Sequence, residues 1–203
     1  MTIEIADPWR DLLQQARRAC CDPLADRIPP HLTLLAPASI PQGRLEVMSD
    51  HLESLARTSR PFSITLHGIA SFLPLASVVY VPVVDGGRTC TALASAIRNG
   101  PIPVIQRYPF HPHITIAQQA DPAALERVCR SLMDFEATIT VDRMLLSVSS
   151  DAPSNPDASW RPVGEFHFAG HESSLVRMQR GREQPDASRH RSVHGPRLRW
   201  GRR

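Results

Sequence analysis

Two short strings carry the chemistry in this chain: His31-Leu32-Thr33-Leu34, within PPHLTLLAP, and His113-Ile114-Thr115-Ile116, within FHPHITIAQ. Each follows directly on a proline, Pro30 and Pro112. Residues two apart on a strand share a face. Each string therefore presents an imidazole beside a hydroxyl and turns its two apolar side chains the other way. An imidazole titrates near pH ~6.5, so one neutral and one protonated ring coexist near neutrality as a base and an acid. Threonine hydroxyls donate hydrogen bonds to non-bridging phosphate oxygens. A phosphodiester set between two such pairs meets the needs of in-line displacement at phosphorus. One histidine takes a proton from the incoming water or hydroxyl, and the other gives one to the leaving oxygen. The hydroxyls and the imidazolium stabilise charge on the phosphoryl group.

The two strings need strands, and strands need a core behind them. TIEIA (2–6) alternates and predicts a short strand. Asp7-Pro8 predicts a helix start, with Asp7 as N-cap, running to about residue 20 with Trp9, Leu12, Leu13 and Ala16 on one face. Residues 31–36 form a second strand. A helix over 43–58 follows, with Leu45, Met48, Leu52 and Leu55 at helical spacing. Strands over 62–72 and 76–84, a turn at Asp85-Gly86-Gly87 and a helix over 88–98 complete the first half. The second half repeats the rhythm: a strand from His113, a helix over 122–133 capped by Asp121, one or two strands over 135–150, and a last strand over 161–169. The order is β-α-β-α-β-β-α-β-α-β-β-β, an α+β pattern. Each half holds one histidine–threonine strand, which permits a pseudo-twofold pair of lobes.

Charge divides the chain differently. There is no lysine, and all 23 basic residues are arginine. Nine of them fall in 171–203 against three acids, while residues 1–170 carry 14 arginines and 17 acids, so a slightly acidic body ends in a basic segment. Apolar periodicity stops after Gly170, and residues 170–203 are predicted to be a disordered tail. Such a tail either contacts phosphate backbones without reading sequence or stays solvated. No run of apolar residues approaches the ~20 that span a bilayer. The first fifteen residues lack a basic segment followed by an apolar one, so no secretory signal is expected and a cytoplasmic protein follows. Cys20, Cys21, Cys90 and Cys129 lack metal-binding spacing and are expected as reduced thiols.

PPHLTLLAP and FHPHITIAQ together resemble the two signature motifs of the 2H phosphoesterase superfamily, and the chain over about 1–169 is similar to the bacterial 2′-5′ RNA ligase and 2′,3′-cyclic phosphodiesterase family. The resemblance implies one bilobal domain over 1–169: two pseudo-symmetric lobes of antiparallel sheet with outer helices around a central cleft. It implies hydrolysis of 2′,3′-cyclic phosphate ends of RNA or of cyclic nucleotides, or the making and breaking of 2′-5′ linkages, without metal or other cofactor. It places the catalytic roles on His31, Thr33, His113 and Thr115. A binding module that holds RNA ends or nucleotides without turnover is the alternative on the same fold. A monomer is the default.

Flanking residues leave open readings. Arg107, Tyr108 and Phe110 could approach phosphate or stack on a base; equally, Tyr108 and Phe110 could be core and Arg107 solvated. Phe72 is expected as a strand-end core residue. His111 shares the HPH string with His113, and a metal site of His31, His111 and His113 competes with a role for His111 in ending a loop and orienting the strand, or in hydrogen-bonding a neighbour. No carboxylate lies near in sequence to complete a metal site. His51, His67 and His167 call for no role.

Overall fold

The computed structural model describes residues 1–22, 24–41, 43–102, 104, 108–118, 122–149 and 160–169. Arg107, the predicted cap Asp121, residues 150–159 and the Arg-rich residues 170–203 lie outside the described residues. The elements are β1 (Thr2–Glu4), α1 (Trp9–Ala19), β2 (His31–Thr33), α2 (Leu45–Thr58), β3 (Phe62–His67), β4 (Ala70–Ser71), β5 (Val78–Asp85), α3 (Gly87–Arg98), β6 (His113–Gln118), α4 (Pro122–Ser131), β7 (Glu136–Val141), β8 (Arg143–Val148) and β9 (Arg161–His167). This is the order expected from the sequence, with one addition. The 62–72 run is broken at Gly68, whose φ of +66° turns the chain and separates β4 from β3. The turn before α3 also rests on a glycine. Gly86 sits at φ +77°, and a Cβ there would drive into the Ser63 carbonyl oxygen and the Ile64 side chain.

All strand pairings are antiparallel, in the order β7-β3-β5-β6-β2-β1-β8-β9, with β4 added alongside β5. The seam between β6 and β2 leaves four strands of the path on each side. The lobes are not the two halves of the chain, however. β8 and β9 return from the far end of the sequence to pair beside β1, while β3 to β7 form the other lobe. One residue, Asp142, separates β7 from β8, yet these strands lie near opposite ends of the path. So short a link forces the sheet to curl. Phe168 closes the curl: its N–H donates to the Asp142 carbonyl at 2.7 Å and its ring stacks on Phe62 at 6.1 Å.

The helices cover the convex face and knit the lobes. α1 packs against β6 and α4, α2 against β9 and α3, and α3 against β5. Beneath them Leu32, Leu34, Ile114 and Ile116 are buried, so the opposite face of β2 and β6 carries the histidines and threonines. Two local expectations need correction. Asp7 does not cap α1, which starts at Trp9 without a side-chain cap, because its carboxylate is taken up by Arg10. Leu12 is exposed, whereas Arg17 of the same helix is buried. The four cysteines are free, and burial pushes the thiols of Cys20 and Cys90 up to about 11. Among the described residues no helix is long and apolar enough to cross a membrane.

Ile114 has no exposed surface and is registered against Leu32 at the seam. Ile114→Ala should lower stability by about 2–5 kcal/mol, read as a loss of urea midpoint at unchanged slope.

Candidate active site

The seam puts the two strings side by side. The ladder between β2 and β6 is a single registered pair, Leu32 with Ile114, the central apolar residue of each string. Antiparallel continuation one residue either way sets His31 toward Thr115 and Thr33 toward His113. The two imidazoles are then diagonal neighbours on the concave face, a relation that spans about 7–8 Å. All four side chains are half-buried. His113 is near enough to matter to His31: it is among the groups that push the His31 pKa down.

Both rings are held the same way. His31 Nδ1 donates to the Pro29 carbonyl at 2.9 Å, and His113 Nδ1 to the His111 carbonyl at 2.6 Å. A carbonyl only accepts, so Nδ1 carries the hydrogen in both rings and Nε2, across the ring, is left to exchange a proton. The prolines account for this geometry. The peptide plane bearing each carbonyl lies between a residue confined to extended ψ and a proline of fixed φ. Pro30 and Pro112 thus preset the two carbonyls that orient the two rings. His111 thus hydrogen-bonds its neighbour, through its backbone carbonyl, as one of its sequence readings expected. Its own ring meets Phe72 and Tyr80 edge-on, at 5.4 and 5.3 Å. Among the described residues no three His, Cys, Asp or Glu side chains form a metal-holding group.

Burial is the main cause lowering both histidine pKa values below the ordinary 6.5, opposed in each by the carbonyl hydrogen bond. At His31 the Arg17 guanidinium adds to the depression. At His113 the neighbouring His111 does so. Arg17 is buried and pairs with the equally buried Asp22, its Nε and Nη2 donating to Oδ2 at 3.0 and 2.9 Å. Its Nη1 donates to the Ile28 carbonyl, one residue before the carbonyl that orients His31. Asp22 Oδ1 also accepts from the Leu24 N–H at 3.1 Å. This clamp fixes the loop that delivers β2.

The surroundings break the pseudo-symmetry. The register partner of His31 is Glu4, and that of His113 is Pro82. Around His113 the rings of Phe72, Tyr80 and His111 pack together: Phe72 stacks on Tyr80 at 4.1 Å, and both meet His113 edge-on at 5.0 and 5.1 Å. Beside His31 the sheet opens into a cavity of about 250 Å³, walled mostly by apolar groups including Ile40, Val104, Leu145 and Trp160, with His31 and Thr33 also lining it. Of the flanking candidates, Tyr108 is exposed and Phe110 packs against the core with Arg98 5.9 Å over its ring. Arg107 is outside the described residues. Sequence reasoning missed Arg17, Asp22, Tyr80 and Trp160. The prolines before each histidine were a visible signal for the orienting carbonyls; the others are brought in by packing alone.

A curled antiparallel sheet with paired histidine–threonine strands at its centre and helices outside defines a two-histidine phosphoesterase fold. The chain belongs to the 2′-5′ RNA ligase superfamily, whose model matches residues 5–153. It is 32% identical over 149 residues to a Bacillus cytotoxicus protein named "Putative phosphoesterase", covering 72% of this chain and 83% of that one. Among solved structures it is similar to E. coli LigT complexed with NADP+ (TM-score 0.60, 20% identity, 83% of this chain and 95% of that one). It is similar also to a Thermus thermophilus protein (TM-score 0.58, 22% identity, 84% and 97%). At these identities the structural likeness establishes the fold.

Two outcomes follow from the geometry. Asp22→Ala leaves a buried guanidinium unpaired and should cost about 3–5 kcal/mol. Arg17→Met combined with Asp22→Leu should recover much of that stability yet raise the His31 pKa, read by imidazole NMR. The histidine depressions also set a pH dependence of folding. Between the folded pKa and 6.5 the unfolded chain binds more protons, so the stability present above pH 6.5 is lost as pH falls through the folded values. The urea midpoint should drop from about pH 7.5 to about pH 5, and drop less in the His31→Asn/His113→Asn double variant.

Proposed function

We propose that the chain is a metal-independent phosphoesterase that opens 2′,3′-cyclic phosphates at RNA ends or on nucleotides, or makes and breaks 2′-5′ linkages by the same chemistry. The observation that carries the reading is the doubled geometry: two imidazoles, each with its Nδ1 donating to a backbone carbonyl, on adjoining strands with a threonine beside each. LigT, which shares the fold, was crystallised with 3′-AMP, with NADP+ and with ATP, which supports a nucleotide as the ligand class.

In the proposed hydrolysis the phosphate sits between His31 and His113, and Thr33 and Thr115 donate to its non-bridging oxygens. Both histidines are depressed in the free protein. A phosphate anion arriving between them favours one protonated ring. The neutral ring accepts at Nε2 the proton of a water whose oxygen bonds to phosphorus. The bond from phosphorus to the ribose 3′ oxygen breaks, and the protonated ring supplies the hydrogen that oxygen needs. A 2′-phosphate results, and proton exchange with solvent restores the pair. General acid and base assistance is worth about 10²–10⁴-fold. Tyr108, exposed two residues before Phe110, is retained as a base-stacking candidate, with Arg107 as a phosphate contact; Phe110 itself packs against the core.

Hydrolysis of 2′,3′-cyclic nucleotides and of RNA ending in a cyclic phosphate should survive EDTA, give a 2′-phosphate, and fall to near background in His31→Ala and in His113→Ala. Thr33→Val and Thr115→Val should each lose about 1.5–3 kcal/mol of transition-state binding. Wild-type rates in the double histidine variant would overturn the assignment; nucleotide binding without turnover in the folded wild type would make the protein a binding module.

A further inference from the structure

The cavity beside His31 is not needed for the acid–base chemistry, which calls only for the two dyads. Its position and lining nevertheless give it a purpose. It adjoins one dyad and not the other: His31 and Thr33 line it, and His113 and Thr115 are not among its described lining. On the far side the corresponding space is filled by Phe72, Tyr80 and His111, whose rings occupy one another. Among the described residues, a substrate phosphate centred between the histidines finds open space for a bulky, flat substituent toward β1, β8 and the start of β9.

Three features of the cavity define what fits. Its walls are mostly apolar, with Glu4 and Arg27 the charged side chains among its described lining residues, so an uncharged group loses least hydration on entering it. Its volume, about 250 Å³, lies just under the ~300–1,000 Å³ of small-molecule sites, which suits one nucleoside and no longer stretch of chain. Trp160 is its one aromatic ring besides the His31 imidazole among the described lining residues, and Thr2 and Ser147 add hydroxyls beyond the dyad. A hydroxyl both donates and accepts, so it satisfies any base edge and discriminates weakly. Indole stacking is similarly tolerant, since every base has a π-face.

We infer that this cavity is a nucleobase subsite: Trp160 stacks on the base of the nucleoside whose ribose carries the phosphate held between His31 and His113. It rests on the phosphoesterase reading above for the position of the phosphate. The subsite adds that the enzyme requires a base on the His31 side and accepts purines and pyrimidines alike. Trp160 reaches the site only because β9 pairs with β8, which pairs with β1 next to β2.

The test compares kcat/KM for 2′,3′-cyclic AMP and 2′,3′-cyclic UMP with that for glycerol 1,2-cyclic phosphate, which has the reacting ring and no base. Wild type should prefer both nucleotides over the baseless compound, and W160A should shrink that preference about tenfold or more, mainly through KM. Ala36→Trp, at an exposed position lining the cavity, should shrink it too without opening the core. A wild-type preference near unity, or one that W160A and A36W leave intact, overturns the subsite while hydrolysis dependent on both histidines still stands. Calorimetric titration with adenosine 2′-phosphate gives the converse separation. If no substrate turns over, yet the ligand binds more tightly than inorganic phosphate and W160A weakens it about tenfold, the subsite holds and the phosphoesterase reading falls. Equal binding of adenosine 2′-phosphate and inorganic phosphate overturns the subsite.

Discussion

The pairing of Leu32 with Ile114 is the contact on which the rest of the structure depends. It is one registered pair at the centre of an eight-strand path, and it joins the middle residues of two identical patterns. Because side chains alternate on a strand, burying these two residues under the helices commits their neighbours to the opposite face. A slip of one residue in either strand would send that strand's histidine and threonine into the core and its leucines or isoleucines into the cleft. Burial of Leu32, Leu34, Ile114 and Ile116 thus acts as a register lock for the polar groups, and hydrophobic packing rather than any polar contact decides where the imidazoles go.

Orientation is a separate matter from register, and backbone torsions decide it. Each ring leans on a carbonyl that a proline has already aimed. Little side-chain entropy then remains to be lost when a ligand arrives, which is the advantage of a preorganised site. The Arg17–Asp22 clamp extends the same logic backward along the chain. A buried ion pair is a weak source of net stability, since desolvation offsets most of its attraction. Its value here is positional: it holds Ile28, and hence Pro29, and hence the His31 ring, from a helix packed against the opposite lobe's central strand.

What the sequence made legible follows from the range of the interactions. Alternation, helical spacing and turn residues are local, so the elements and the polar face of His31-Leu32-Thr33 and His113-Ile114-Thr115 could be read directly. The division of 135–150 could not, because Asp142 looks like any polar residue in a strand until the sheet is seen to curl. The lobes depart from successive halves of the chain for the same reason. Nothing local tells β8 to pair with β1, and a contact as distant in sequence as Thr2 with Leu145 leaves no mark on the pattern around either residue. Arg17 stands four residues after Leu13, beside the apolar stripe of α1, but its charge reads as solvent-facing, and its burial rests on the pairing with Asp22 and Ile28.

The pseudo-symmetry of the two dyads and the asymmetry of their surroundings are consequences of one topology. Antiparallel pairing at the seam relates β2 to β6, β1 to β5 and β8 to β3 by the same twofold operation, so the groups nearest the seam must match. Constraint weakens with distance from it. Glu4 stands where the other lobe has Pro82, Thr2 where it has Tyr80, and an open cavity where it has a packed cluster of rings. A symmetric substrate would gain nothing from this difference. A phosphate bearing a nucleoside on one side and water on the other would gain both halves of it: a chamber for the base, and on the opposite flank a wall of rings that holds His113 in place.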